Sequence, residues 1–235
     1  MAVQRLSLSQ IESAILEIMG YSSSANAPWG SSANFYLRVN EYGQRLPMHL
    51  NSLARQLNMP TPVRFDMWRT TVNSSTFGVT DPVVAAGSQY IYFPVDYDHW
   101  ISFYDLTGLK PLSVIENVDK WHSEILLLPE GPPQYIEVQG FVTDGDGNWR
   151  RRARFYPATE AGTTPSFRME YWRLPATMPG VSPTVEYPDC DPKYESVFIY
   201  GPICDLARNT GFEYDRYAAL EKDLLIEMLS TARSL

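Results

Sequence analysis

Asp96, Asp98 and His99 stand together beside Trp100 and supply an acid, a base and metal-ligating atoms at one place in the chain. Zinc sites need ligands at set spacings, and this spacing matches none of them; the other histidines, His49 and His122, stand alone. A solvated loop is the expectation there. Asp144-Gly145-Asp146-Gly147-Asn148 opens like a calcium loop, with oxygen ligands at alternate positions. An EF-hand loop then needs a glycine and later a carboxylate where this chain has Trp149 and Phe155, so a hairpin turn is expected instead. There is no Gly-x-Ser-x-Gly elbow, and the 14 glycines form neither a dinucleotide fingerprint nor a Walker run. Cys190 and Cys204 show no Cys-x-x-Cys spacing and read as ordinary reduced thiols. The sequence predicts no catalytic site, no metal and no cofactor.

The most unusual charge feature is Trp149-Arg150-Arg151-Arg152-Ala153-Arg154-Phe155. On a strand, Arg150, Arg152 and Arg154 fall on one face. Three readings stay open: an exposed edge protected by its charges, a row that meets an acidic patch on a neighbouring subunit, or a phosphate contact. The whole chain is acidic, with 27 acidic against 19 basic residues and a formal charge of -8, which opposes broad affinity for nucleic acid. Aromatic residues make up 13%, including 15 Tyr and 6 Trp, a composition that suits a protein with much interface. No apolar run approaches the roughly 20 residues that span a bilayer, and the first ten residues lack an apolar signal core. A chain made in a cytoplasm, without a membrane partner, is expected.

The elements that would position these residues divide into three stretches. A capping box at Ser9 and Glu12 predicts a first helix, with Ile11, Ile15, Ile18 and Met19 at helical spacing and Gly20 as its end. Tyr21 to Ser32 reads as a loop. A second helix is expected from Ser32 to Leu57, kinked or split at Pro47, with Phe35, Val39, Tyr42, Leu46, Leu50, Leu53 and Leu57 on its apolar stripe. From Val63 to Arg173 β-branched and aromatic residues alternate with turn formers. Strands are predicted at Gln89–Phe93, Tyr135–Val142, Trp149–Tyr156 and Ser166–Trp172. Leu174 to Pro192 is a proline-rich connector. Asp191 and Pro192 are then expected to start a helix carrying Val197, Tyr200, Ile203, Cys204 and Ala207, interrupted at Gly201-Pro202. A last helix would carry Tyr217, Leu220, Leu224 and Met228, with Arg233 near its negative end.

Helical ends around a β-rich middle predict an α+β fold, a helical bundle from both chain ends with a large inserted antiparallel β domain. The expected divisions are residues 1–60, 61–175 and 176–235, with prolines at both borders of the insertion.

Laid out this way, the chain resembles the head-to-tail adaptor (head completion, or neck connector) proteins of tailed bacteriophages. Three places carry the likeness: the early helix holding Asn40-Glu41; Gln89-Tyr90-Ile91-Tyr92-Phe93-Pro94-Val95-Asp96 with Phe155-Tyr156-Pro157 and Phe167-Arg168-Met169-Glu170-Tyr171-Trp172; and Tyr194 to Gly201 with Asp205-Leu206-Ala207 and the helix from Tyr214. The resemblance implies a homo-oligomeric ring, usually a dodecamer, in the virion neck at the portal vertex, assembled in the host cytoplasm. It implies as partners the portal protein and the next neck or tail protein, whether stopper, tail tube or nozzle, with DNA passing through the channel without specific binding. It also implies that the C-terminal end, Ser230, Thr231, Ala232, Arg233, Ser234 and Leu235, contacts the portal, while the insertion faces the next component. That end and the loop Tyr21 to Ser32 are expected to order only on docking. Rival readings are a tail terminator, a host-directed binding module that uses the β domain, and an enzyme built around Asp96, Asp98 and His99.

Overall fold

A computed structural model describes residues 5–73, 90–115, 128–143, 147–158, 166–178, 187–210 and 213–234. It contains helices together with antiparallel and mixed sheets, an α+β protein, in two compact units. One unit takes residues 1–68 and 174–235; the other takes 69–173.

Helix α1 (Leu8–Met19) buries Leu8, Ile11 and Ile15 and ends at Gly20 in the left-handed conformation. Its capping box is Ser7 with Gln10, two residues earlier than expected. Glu12, the residue expected to cap, is instead 7% exposed and accepts a hydrogen bond from the Ser24 hydroxyl. The stretch from Tyr21 to Ser32 is not the unanchored loop its composition suggests. It contains a 3-10 turn at Ser24–Asn26, and Trp29 is 3% exposed between Tyr21 and Phe35.

Helix α2 (Ser32–Gln56) runs through Pro47 without a break, capped by the Ser31 hydroxyl. It buries Phe35, Tyr36, Val39, Tyr42, Leu46, Leu50 and Leu53, while Leu57 lies past its end and is 43% exposed. The chain then forms the short strand β1 (Val63–Arg64), tied to α2 where Asn51 Oδ1 accepts from the Val63 N–H at 2.8 Å. Phe65 and Trp68 belong to the same apolar cluster as α2, which sets the border of this unit at Trp68.

After the β-rich unit the chain returns at Leu174. Asp191 caps a single 3-10 turn, Pro192–Tyr194, rather than the helix expected to begin there. Helix α3 (Val197–Thr210) follows and is continuous through Gly201-Pro202. Those two residues mark a close approach, not a break: a β-carbon at Gly201 would lie 2.0 Å from Cζ of Tyr42. Helix α4 (Tyr214–Ser230) buries Tyr217, Leu225, Met228 and Leu229; Leu220, expected on the buried stripe, is 36% exposed. Residues of all four helices share one apolar cluster.

The other unit is two four-stranded sheets around a second cluster. One has the order β2 (Arg69–Asn73), β9 (Phe167–Arg173), β4 (Tyr97–Asp105), β5 (Lys110–Pro111). The other has the order β3 (Tyr90–Tyr92), β8 (Trp149–Tyr156), β7 (Tyr135–Thr143), β6 (Ser113–Ile115). Phe103, Phe167, Met169 and Tyr171 from the first sheet meet Ile91, Ile136, Ala153 and Phe155 from the second. The insertion is not wholly antiparallel, because β6 pairs with β7 in parallel. Asp144 to Asp146 of the expected hairpin tip and Gln89 lie outside the described residues. The antiparallel pairing of Thr143 with Trp149 joins the strands on either side of that tip.

Gly201→Ala tests the α2–α3 contact. Alanine would add about 1 kcal/mol of helix propensity, but the overlap with Tyr42 outweighs it, because the ring lies inside a filled core. The expected outcome is a net loss of roughly 1–3 kcal/mol, read as a lower urea midpoint at unchanged slope.

Candidate functional site

The acid and histidine cluster sits in and beside a strand, not in a solvated loop. Asp96 immediately precedes β4, which contains Asp98 and His99. Pairing with β9 places His99 opposite Trp172, and its ring stacks on Trp100 and Trp172 at 5.9 and 6.5 Å. Asp96 accepts from the Tyr171 hydroxyl at 3.0 Å; burial first, and this carboxylate second, push the Tyr171 pKa up. These contacts join the start of β4 to β9. Among the described residues no group of three His, Cys, Asp or Glu side chains could hold a metal ion. His122 lies outside the described residues.

Alternation along β8 turns Ala153 and Phe155 into the apolar cluster and leaves Arg152, Arg154 and Tyr156 on the opposite face. The guanidiniums of Arg152 and Arg154 lie 4.4 and 5.6 Å from the ring centre of Tyr90, and Arg154 also lies 4.8 Å from that of Tyr156. Arg152 Nε donates to Gln139 Oε1 at 2.9 Å; Gln139 Nε2 and the Tyr156 hydroxyl both donate to Glu137 Oε2, at 3.1 and 2.9 Å. Burial, then the bond to Glu137, pushes the Tyr156 pKa up to about 12. Both arginines are thus engaged within their own sheet. Arg150, expected to act with them between subunits, is only 2% exposed and presents no side-chain surface to a neighbour.

The described part of the C-terminal end makes contacts within the chain. Ser230 closes α4, and its hydroxyl donates to the Glu227 carbonyl at 2.6 Å. The Thr231 hydroxyl donates to the Met228 carbonyl at 2.8 Å, and Ala232 packs on the apolar cluster. Arg233 and Ser234 form β10, paired antiparallel with Arg64 and Val63, so Arg233 belongs to a strand rather than to the helix end. Leu235 lies outside the described residues.

Two further features were not legible in composition or period. Asn40 donates through Nδ2 to the Met178 carbonyl at 2.7 Å and accepts through Oδ1 from the Met178 N–H at 2.8 Å. One amide side chain therefore reads the N–H and the C=O of a single residue 138 positions further on, where the chain has returned from the β-rich unit. The second feature is a pair of exposed rings, Phe141 at 55% and Trp149 at 70%. A register shift between Val138 and Phe141 moves the outer end of the β7–β8 hairpin off the core alternation. The glycine in that gap, Gly140, was the available signal.

Cys190 and Cys204 are free and buried, and burial pushes both thiols up to about 12 from an ordinary 9.0. Compared with known protein families and with curated proteins, the sequence matches none.

Two outcomes follow. Asn40→Ala is expected to cost about 1–3 kcal/mol, measured by urea denaturation, because it strips both partners from the Met178 peptide. The raised thiol pKa values mean that the folded state holds these protons more tightly than the unfolded state. Their contribution is therefore complete below about pH 9 and is lost as pH rises toward about 12. Titration with a thiol reagent at pH 8 should find both cysteines unreactive in the folded chain and reactive in denaturant.

Proposed function

We propose that the chain is a structural head-to-tail adaptor of a tailed bacteriophage, forming a ring between the portal and the next neck or tail component and lining the DNA channel. In this reading helices from both chain ends make one bundle that builds the ring, and the inserted β unit offers the surface for the next component. Ser230 to Leu235 meet the portal, and Arg152 and Arg154 stiffen the sheet that faces the distal partner.

The observation that carries the reading is the Asn40 clamp on Met178. Asn40 is the residue through which the early helix resembles this family, and it ties that helix to the segment leading into the closing helices. The helix that opens the resemblance is thereby bonded to the connector that precedes its closing helices. The apolar cluster shared by α1, α2, α3 and α4 supports the same division of labour.

Electron microscopy of particles that carry the protein, with native mass measurement of the protein mixed with portal, tests the proposal. A closed ring at the portal vertex is expected; a chain that stays monomeric and never joins particles contradicts it. A second reading, a host-directed binding module, is favoured by the exposed Phe141 and Trp149. It requires that F141S/W149S abolish attachment to host cells while leaving particle assembly intact; the adaptor reading expects failure at assembly.

A further inference from the structure

The turn that joins β4 to β5 carries the most exposed large apolar side chain among the described residues, Leu109, at 72%. Its backbone has a φ of 51°, in the left-handed region that glycine or asparagine fills readily and leucine does not. The glycine of the turn stands one residue earlier. Gly108 is needed there for space, since a β-carbon would lie 2.5 Å from Oδ2 of Asp105. So exposed a side chain makes little packing to offset the strain of its backbone, and folding alone would favour glycine or asparagine at position 109.

The turn is nevertheless held in one shape. Asp105 is buried, and its two carboxylate oxygens accept from the Thr107 N–H at 3.0 Å and the Gly108 N–H at 2.9 Å. The Tyr104 hydroxyl donates to the Leu109 carbonyl at 2.7 Å, and the Arg168 guanidinium lies 5.4 Å from the centre of the Tyr104 ring. Strand register sets Asn73, Arg168, Tyr104 and Pro111 in one row across the sheet, and no carboxylate stands in that row. Lys110 and Arg168 are both exposed. The one acid of the turn is thus taken up inside it, and the tip presents an apolar side chain beside two cations. Asp105 pairs with Phe167 at this end of β9, whereas Arg69 pairs with Trp172 at the other end, where the chain enters and leaves the unit. The tip therefore lies at the end of its sheet away from those junctions.

We propose that this turn is a preset docking knob, with Leu109 entering an apolar pocket, bordered by carboxylates, on the next neck or tail component. The contact rests on the adaptor reading above and names the part of the β unit that makes it. A strained and exposed leucine has its use in binding, not in folding. A tip already fixed by Asp105 and Tyr104 loses little conformational freedom when it docks, and Lys110 and Arg168 select an acidic rim over a basic one.

The test uses the full chain, both isolated and in heads assembled with each variant in place of the wild type. Leu109→Asn should raise the urea midpoint of the isolated protein, because asparagine suits the left-handed position. Heads that carry Leu109→Asn should keep their ring yet bind tails of the same phage at least about tenfold more weakly, counted by electron microscopy. K110E/R168E should weaken tail binding likewise, with the ring retained. A lower urea midpoint for Leu109→Asn, or tail binding at the wild-type level, overturns the knob and leaves the adaptor reading standing. Heads that lose the ring with Leu109→Asn also overturn it, by placing the turn within the ring or against the portal. Flotation with phosphatidylserine and phosphatidylcholine vesicles that the wild type shows and Leu109→Asn lacks overturns it in favour of a lipid surface. A wild type that never joins heads overturns the adaptor reading and this contact together.

Discussion

The ring of Tyr42 lies against Gly201 so closely that a β-carbon there would overlap it, and its hydroxyl donates to Glu221 Oε1 at 2.6 Å. Phe198 meets the same ring edge-on, with centres 6.0 Å apart. One side chain of α2 is thereby held by both α3 and α4. Burial first, and Glu221 beside it, hold the Tyr42 hydroxyl well above its ordinary pKa, so the bond is donated by a neutral phenol. A buried phenol without that acceptor would cost the full desolvation of its hydroxyl. Gly43, one residue on, leaves room for the Phe198 ring in the same way, with Cε1 3.0 Å from the place of a β-carbon. Two glycines, one on each helix, let α2 and α3 approach.

The entry into the first unit is fastened by an ion pair between a half-exposed arginine and a buried carboxylate as well as by packing. Glu195 is 1% exposed and accepts from Arg5 Nε at 2.6 Å, while the Leu6 N–H donates to its other oxygen. Such a pair contributes less by its attraction than by what its removal would cost, since Arg5→Ala would leave Glu195 buried without that charge. Residues near position 5, position 42 and position 178 therefore each connect the first part of the chain to the last. The β-rich unit is organised differently, by rings and methionine between two sheets, with polar chains such as Gln139, Glu137 and Tyr156 bonded along one outer face.

Where a side-chain period alone decided the outcome, the sequence was readable: Ile11 and Ile15, Phe35 to Leu53, and Ala153 with Phe155 all lie where their spacing places them. It misled where a residue type usually signals a break. Pro47 and Gly201-Pro202 stay inside continuous helices, and at Gly201 the Tyr42 ring fills the space that a β-carbon would take. Asp96, Asp98 and His99 looked like a loop because charged residues mask a strand whose partner, β9, is far away in sequence. The arginine row was visible, but the burial of Arg150 and the turn of Arg152 and Arg154 onto Tyr90 depend on strand pairing, which no local pattern encodes. The Asn40 clamp was visible only as a likeness in sequence; its partner is a backbone group.

The account depends on the two chain ends completing one core without help from the segment between them. Co-expression of residues 1–68 and 174–235 as separate chains tests this most directly. The account predicts that they co-purify as a one-to-one helical complex that unfolds cooperatively. Fragments that remain unfolded or fail to associate would contradict it.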